Sequence, residues 1–262
     1  MTFQRLAKYY DLIYSWKDYK TESELLKKII LNNKKSKGNE LLDVACGTGK
    51  HLKYLKKWFS CIGIDINEGM LKVARKDVKG VFFKRADMRN FNLKRKFDAI
   101  ICMFSSLGYT KTYFGLKKTM QNLSNHLKPG GVVVIEPWFT KAAFKKGRSF
   151  MRTYDGENLK IARINISKVR GNISILEFHY LVGEENKEVK YFVDKHELGI
   201  FEVNKTLKIM KKFGIEAKFL DINSIINSGA VNRRILKRYG LTEKVLKNLR
   251  TKERGLYLGI KA

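Results

Sequence analysis

An α/β fold, a parallel sheet with helices on both faces and an inserted antiparallel β subdomain, is the architecture the sequence predicts. Three observations lead there. From residue 40 to about 137, apolar runs of strand length alternate with helical patterns, as in a parallel sheet joined by crossover helices. Two of these runs, DAIICMF (98–104) and GVVVIE (131–136), are apolar on both faces, as strands in the middle of such a sheet are. After Thr140 the period changes to two, and turn residues separate three alternating segments.

The first clear helix is expected after Thr21, where TESE supplies a capping box and Leu25, Leu26, Ile29 and Ile30 fall on one face. The polar stretch NNKKSKGN ends it. Strands are expected at 40–45, 61–66, 81–84, 97–104 and 131–136. Between them Met70, Ala74 and Val78 recur at helical spacing. Tyr113, Leu116, Met120, Leu123 and Leu127 do so again, up to the stop at Lys128-Pro129-Gly130. The segments IARINISKV, NISILEFHYLV and VKYFVDKHELGIF read as the antiparallel strands, then a helix over 204–213 closes at Gly214 and strands follow at 215–221 and 255–261. The implied organisation is a cofactor-binding core with a helical cap over 1–140, the β subdomain over 141–203, and completion of the core sheet over 204–262. A basic helical insertion is expected at about 222–254.

A chain of 262 residues, 44% hydrophobic with two prolines, is too apolar for disorder and long enough to enclose an enzyme core. No apolar run approaches the roughly 20 residues of a membrane helix. The amino terminus, MTFQRLAKYYDL, is too charged for a signal peptide, so a cytoplasmic protein with no membrane partner is expected. Cys46, Cys61 and Cys102 form no CxxC pair and sit in strand-like segments, which argues against disulfides and zinc. The net charge of +29 would attract polyanions, yet 23 of the 54 Lys and Arg fall in the first 100 residues, an even spread that suits a solvated, lysine-coated surface. Only 233–254 stands out, with nine basic residues against two acidic ones, and any polyanion site is expected there.

The handover from the first strand to the next helix reads LLDVACGTGKHL (41–52). Gly47 and Gly49, with Ala45 before them, let the backbone turn sharply and approach a ligand closely. Leu52 stands where a third dinucleotide-binding glycine would be, and the P-loop pattern is missing as well, so a pyrophosphate is not indicated. The second strand ends at Asp65, placed to accept ribose hydroxyls, and the third is followed by Ala86-Asp87-Met88, an acid and an apolar side chain beside a flat heterocycle. Together these describe an adenosine cofactor without a required diphosphate, a description that S-adenosylmethionine fits.

The series LLDVACGTG, GIDI, RADMR and CMFSSLGY resembles the motifs of class I S-adenosylmethionine-dependent methyltransferases, which implies a seven-stranded Rossmann-like sheet. By that resemblance Asp43, Ala45 and Gly47 surround the methionine part and Asp65 holds the ribose. Ile66 and Met70 flank the adenine, Asp87 and Met88 read its edge, and Met103, Phe104 and Ser105 close the site beneath the methyl donor. At finer grain, DVACGTGxHL, DMRxF, CMFSSxG, GGVVVxEPW, HYLV and ERGL are similar to TDP-amino-sugar N,N-dimethyltransferases, with gaps from about residue 6 to 260. This implies Trp138, His179 and Arg254 in or near a sugar-nucleotide site, Arg254 as a diphosphate partner, and Tyr10 and Tyr19 in a cap over the cofactor. Two departures are visible: Tyr109 replaces the histidine that follows CMFSSxG in that family, and 222–252 is longer and more basic than its counterpart.

Methyl transfer from a sulfonium asks the protein mainly to align two centres and exclude water, so no Ser-His-Asp or Cys-His set is required. Tyr109 is the candidate that hydrogen bonds the acceptor. Trp138 and Phe139 read either as a platform for sugar or base or as packing, His51 as helix surface, and Cys46 as a residue chosen for small size. The expected reaction is N-methylation of a small amine, such as an amino sugar on a nucleotide carrier. Methylation of RNA or protein through the basic surface is the alternative, and either a monomer or a homodimer is compatible with the sequence.

Overall fold

The computed structural model describes residues 2–140, 143–221 and 255–262. The basic segment 222–254, Arg254 included, lies outside the described residues. The chain opens with helices α1 (Thr2–Ile13) and α2 (Tyr19–Asn33). It then alternates β1 (Glu40–Val44), α3 (Lys50–Leu55), β2 (Ser60–Asp65), α4 (Glu68–Asp77), β3 (Phe82–Arg85), β4 (Phe97–Cys102), a 3-10 turn (Ser106–Thr110), α5 (Tyr113–His126) and β5 (Leu127–Ile135). Four strands follow, β6 (Ser149–Asp155), β7 (Leu159–Arg170), β8 (Ile173–Glu184) and β9 (Lys190–Gly199). The chain ends with α6 (Val203–Lys212), β10 (Ile215–Asp221) and β11 (Gly255–Lys261).

Seven strands form one sheet in the order β10-β11-β5-β4-β1-β2-β3, parallel except that β11 runs against both its neighbours. Alternation along β1 shows how both faces become buried. Leu41 packs with Leu26 and Ile30 of α2, Leu52 of α3 and Leu71 of α4 on one side. Leu42 and Val44 pack with Leu116, Met120 and Leu123 of α5 and Met210 of α6 on the other. Strand β4 is buried along its whole length, which explains its uninterrupted apolar run. The expected strands match, with shifts of one to four residues at their ends.

Helix α2 begins earlier than TESE suggested. Its N-cap is Asp18, whose Oδ1 accepts from the Thr21 amide at 3.1 Å, so the helix gains a turn that the capping-box reading left out. Asp98 anchors the other end of the central strands. It is fully buried and accepts from the Gly38 amide (3.0 Å), the Glu40 amide (2.9 Å) and Lys128 Nζ (2.8 Å).

A second, antiparallel sheet has the order β6-β7-β8-β9. Three of its strands were expected; β6, with sequence SFMRTYD, carries no clean alternation and escaped notice. The sheet inverts the usual pattern. On β7 the buried side chains are Arg163, Asn165 and Ser167 beside Ile161, whereas Ile164 and Ile166 are 47% and 52% exposed. Polar residues face inward because the inner face walls a cavity rather than a dry core.

Helix α1 straps the two sheets together. Tyr9 and Ile13 pack with Ile161, Tyr180 and Val182 of the second sheet, and the Tyr9 hydroxyl donates to Glu184 at 2.6 Å. Asp11, between them and on the opposite face of the helix, accepts from Thr48 Oγ1 at 2.7 Å and pairs with Lys50 at 2.9 Å in the glycine loop of the first. No described helix is long and apolar enough to cross a membrane.

Burial pushes the Asp98 carboxyl up, but Lys128 and the Glu40 amide outweigh it and hold it below the usual carboxylate range. A group with a depressed folded pKa stabilises above its unfolded value, about 3.9, and loses that contribution as pH falls through the folded value. Asp98→Ala should therefore lower unfolding free energy by roughly 3 kcal/mol at neutral pH. The gap to the wild type should shrink in acid, as read by denaturant titrations at several pH values.

Candidate functional site

The carboxyl ends of β1, β2 and β4 open onto a cavity of about 1140 Å³ closed on its far side by the second sheet. A doubly wound sheet places its ligand at such strand ends because the connecting loops diverge there. Asp43, 1% exposed, is the penultimate residue of β1, and its Oδ2 has no hydrogen-bond partner among the described residues. Burial, then the nearby Asp65, pushes its carboxyl well up. A buried carboxylate left this way calls for a cationic ligand.

The loop that follows carries three left-handed residues, Ala45 (φ 61°), Gly47 (φ 56°) and Gly49 (φ 74°). They differ in purpose. A Cβ on Gly47 would meet nothing within 4 Å, so its bare face looks into open space, while one on Gly49 would press within 3.0 Å of the Phe83 ring. Gly47 thus leaves room for a ligand and Gly49 for packing. Asp65, 9% exposed, fixes the loop: Oδ2 accepts from the Gly47 amide and Oδ1 from the Asn67 amide, both at 2.8 Å. Burial raises its carboxyl, against the pull of those amides.

Around this clasp the cavity wall includes Ile66, 57% exposed at the strand end, with Met70 and Met88. Met103, Phe104 and Ser105 form the floor. Phe104 (φ 53°) and Ser105 (φ 65°) are consecutive left-handed residues, a strained turn held by Glu136 accepting from the Phe104 amide at 2.7 Å. Tyr10 and Tyr19 close the cavity from the cap side, and burial raises both phenols. Tyr14, unflagged by sequence, joins them, with its ring 5.1 Å from Phe104.

Four sequence expectations need correction. Asp87 does not line the cavity; Arg89 engages both its oxygens, Nε at 3.0 and 3.1 Å, and holds the carboxyl below its usual range. Gly49 stands behind the wall, as its packing requires. His179 is exposed on the outer face of β8, with Nδ1 2.7 Å from the Tyr191 hydroxyl, because Phe178 and Tyr180 on either side point inward. His51 is no surface residue: it is 6% exposed, lines the cavity, and its Nε2 lies 2.8 Å from Glu22 Oε2.

Trp138 is on the wall, its Nε1 donating to Ser174 Oγ at 2.8 Å, with Phe139 4.7 Å away ring to ring and Phe144 beyond. Tyr109 lines the same region and is 36% exposed, toward the cavity. The second sheet adds residues that sequence reasoning passed over: Arg163, Asn165, Phe178, Tyr180 and His196, with Arg148 and Arg152 at the rim. The signal that could have found them is the inverted alternation of β7, polar residues at every second place between isoleucines. Among the described residues no cluster of His, Cys, Asp or Glu is arranged to hold a metal ion.

These features fit S-adenosylmethionine. The orphaned Asp43 oxygen suits an ammonium group, the open face of Gly47 suits a chain lying against the backbone, Asp65 keeps lone pairs for hydroxyls, and Ile66, Met70 and Met88 suit a flat ring.

A family model described as a methyltransferase domain matches residues 41–131. A dTDP-3-amino-3,4,6-trideoxy-alpha-D-glucopyranose N,N-dimethyltransferase of Streptomyces venezuelae is 35% identical over 218 residues, covering 82% of this chain and 92% of that protein. Among solved structures, Streptomyces venezuelae DesVI superposes with a TM-score of 0.79 at 31% identity, covering 98% of each chain. CalS10, an amino pentose methyltransferase from Micromonospora echinaspora solved with S-adenosylmethionine bound, gives a TM-score of 0.78 at 25% identity, covering 97% of this chain and 96% of its own.

Asp43→Asn should weaken S-adenosylmethionine binding by about 100-fold in calorimetry, the loss of a buried charge-assisted hydrogen bond. The same change should raise the melting temperature of the ligand-free protein, because an uncompensated buried carboxyl is removed. Asp65→Ala should abolish cofactor binding, since the Gly47 and Asn67 amides lose their common acceptor.

Proposed function

The chain belongs to the class I S-adenosylmethionine-dependent methyltransferases, and on that premise we propose that it N-methylates a small amine, specifically an amino sugar carried on a nucleotide. The cofactor, when bound, supplies a methyl group already activated on a positively charged sulfur. Asp43 and the Gly47 loop would hold its methionine end, Asp65 the ribose, and Ile66, Met70 and Met88 the adenine. Tyr10 and Tyr19 would exclude water from above.

The observation that carries the acceptor reading is Arg163. It is 7% exposed, its guanidinium lies 4.4 Å over the Phe178 ring, and Nη1 donates to the Tyr14 hydroxyl at 2.8 Å. No carboxylate pairs with it among the described residues, and its Nε has no partner. A buried guanidinium surrounded by neutral groups is costly unless an anion arrives to meet it. Its planar donors match a phosphate oxygen pair, and Arg148 and Arg152 extend positive charge along the same wall. Asn165 and Ser167 on the same strand offer hydrogen bonds to sugar hydroxyls, and Trp138 and Phe139 offer a face to the sugar or base. The relatives named above include a dTDP-amino-sugar N,N-dimethyltransferase, which supports the same acceptor class.

Transfer to RNA or protein is less well supported, because Arg163, the buried basic side chain of the cavity, faces inward between two sheets. A methyl-transfer screen over free amines, nucleotide sugars, tRNA and cell extract, read by mass, should find a nucleotide-linked amino sugar gaining methyl groups. Methylation of RNA alone, with binding that falls by roughly 0.7 to 0.9 log units per phosphate contact for each log unit of salt, would overturn the reading. Arg163→Gln should raise KM for the nucleotide-linked amine by roughly 10- to 100-fold while leaving cofactor affinity unchanged in calorimetry.

A further inference from the structure

We infer that Tyr109, His196 and Asp194 form a proton relay that deprotonates the acceptor ammonium, with Tyr109 the catalytic residue touching the amine and the other two positioning residues acting through it. The inference rests on the reading of the acceptor as an amine. The Tyr109 hydroxyl lies 2.7 Å from His196 Nδ1, and His196 Nε2 lies 3.0 Å from Asp194 Oδ2. Three groups in succession, running from the cavity wall into the protein, is the arrangement of a base positioned from behind.

The relay is assembled from two elements. Tyr109 sits on the 3-10 turn after β4, and Asp194 and His196 are alternate inward residues of β9, 1% and 4% exposed. Strand β9 lies hard against the turn because residue 108 is glycine: a Cβ there would stand 2.9 Å from Leu198 Cδ2 and 3.1 Å from Trp138 Cβ. With a carboxylate facing Nε2, the imidazole keeps its proton on that nitrogen and offers Nδ1 to the tyrosine hydroxyl. Asp194 is 1% exposed and its Oδ2 lies 3.0 Å from Nε2, so the carboxylate is fixed behind the ring.

Tyr109 conducts the proton rather than keeping it. Burial, and then the neighbouring Tyr14 just after α1, Asp194 of β9, Asp65 of β2 and Tyr180 of β8, hold its phenol well above the usual range. Of the other charged groups on this wall, Arg163 of β7 is separated from His196 by the Phe178 ring, whose centroid is 4.8 Å from the imidazole, and Arg148 and Arg152 stand at the rim.

An amine near neutral pH is largely an ammonium ion, with no lone pair to alkylate. In the relay one ammonium proton passes to Tyr109 Oη as the tyrosine's own proton passes to His196 Nδ1. The products are a neutral amine with its lone pair free, a neutral Tyr109, and an imidazolium facing Asp194. When product leaves and water enters the cavity, the proton returns along the same path, so the three residues end unchanged.

The test uses the full chain and an amine that the wild type methylates, with kcat and KM followed from about pH 6 to the amine's own pKa. Tyr109→Phe and His196→Gln should each lower kcat near neutral pH by roughly 100- to 1000-fold. KM and S-adenosylhomocysteine binding should stay unchanged, and Asp194→Asn should give a smaller loss of the same kind. The deficit should close as pH approaches the amine's pKa, because an acceptor that arrives neutral needs no relay. A deficit equal at every pH, or one carried by KM, would overturn the relay while leaving amine methylation standing. A wild type that methylates no amine would instead overturn the parent reading of the acceptor.

Discussion

The Asp65 carboxylate is the tie on which the donor half of the molecule depends. It receives the Gly47 amide from the loop after β1 and the Asn67 amide from the start of α4, so one side chain sets the spacing of two strand ends. Without it the left-handed run Ala45, Gly47, Gly49 would have no reason to hold its shape, since Ala45 pays a conformational cost there that only surrounding contacts can offset. The clasp also brings Asp65 close enough to Asp43 for its charge to add to the burial that pushes the Asp43 carboxyl up. That repulsion is tolerable only in a site meant to receive positive charge.

The other half of the cavity follows a different rule. Its wall is a sheet whose inward residues are polar and whose outward residues include isoleucines, so the cavity cannot be closed by hydrophobic packing alone. Closure falls to α1, which buries Tyr9 and Ile13 against the second sheet and reaches back to the glycine loop through Asp11. Aromatic rings fill the corner where the parts meet: Tyr10 lies 4.7 Å from Tyr14, and Tyr14 5.1 Å from Phe104. Rings of this size cover a ligand with little loss of side-chain freedom, which suits a lid over a reactive donor.

Much of this was legible in the sequence, and unevenly so. The central strands could be read because β4 from Ala99 onward and β5 from Gly131 onward are buried on both faces and therefore carry no charged residue. The glycine loop and Asp65 could be read because backbone geometry restricts which residues fit there. The second sheet was harder. Its β6 has no alternation to detect, and β7 alternates in the opposite sense from a core strand, so attention fell on the apolar face that looks to solvent. His179 was chosen from a motif although its neighbours Phe178 and Tyr180 take the inward places. His196, which does face the cavity, lies 87 residues from Tyr109, and no local pattern joins them.

Among the described residues the two sheets share no backbone ladder. In evolutionary terms this separation makes the protein modular. Substitutions on the inner faces of β6–β9 can reshape the cavity without altering strand register at the Asp65 clasp, and the first sheet can be inherited intact through many such trials. Selection for a new acceptor would therefore act on a wall that can drift, set against chemistry that cannot.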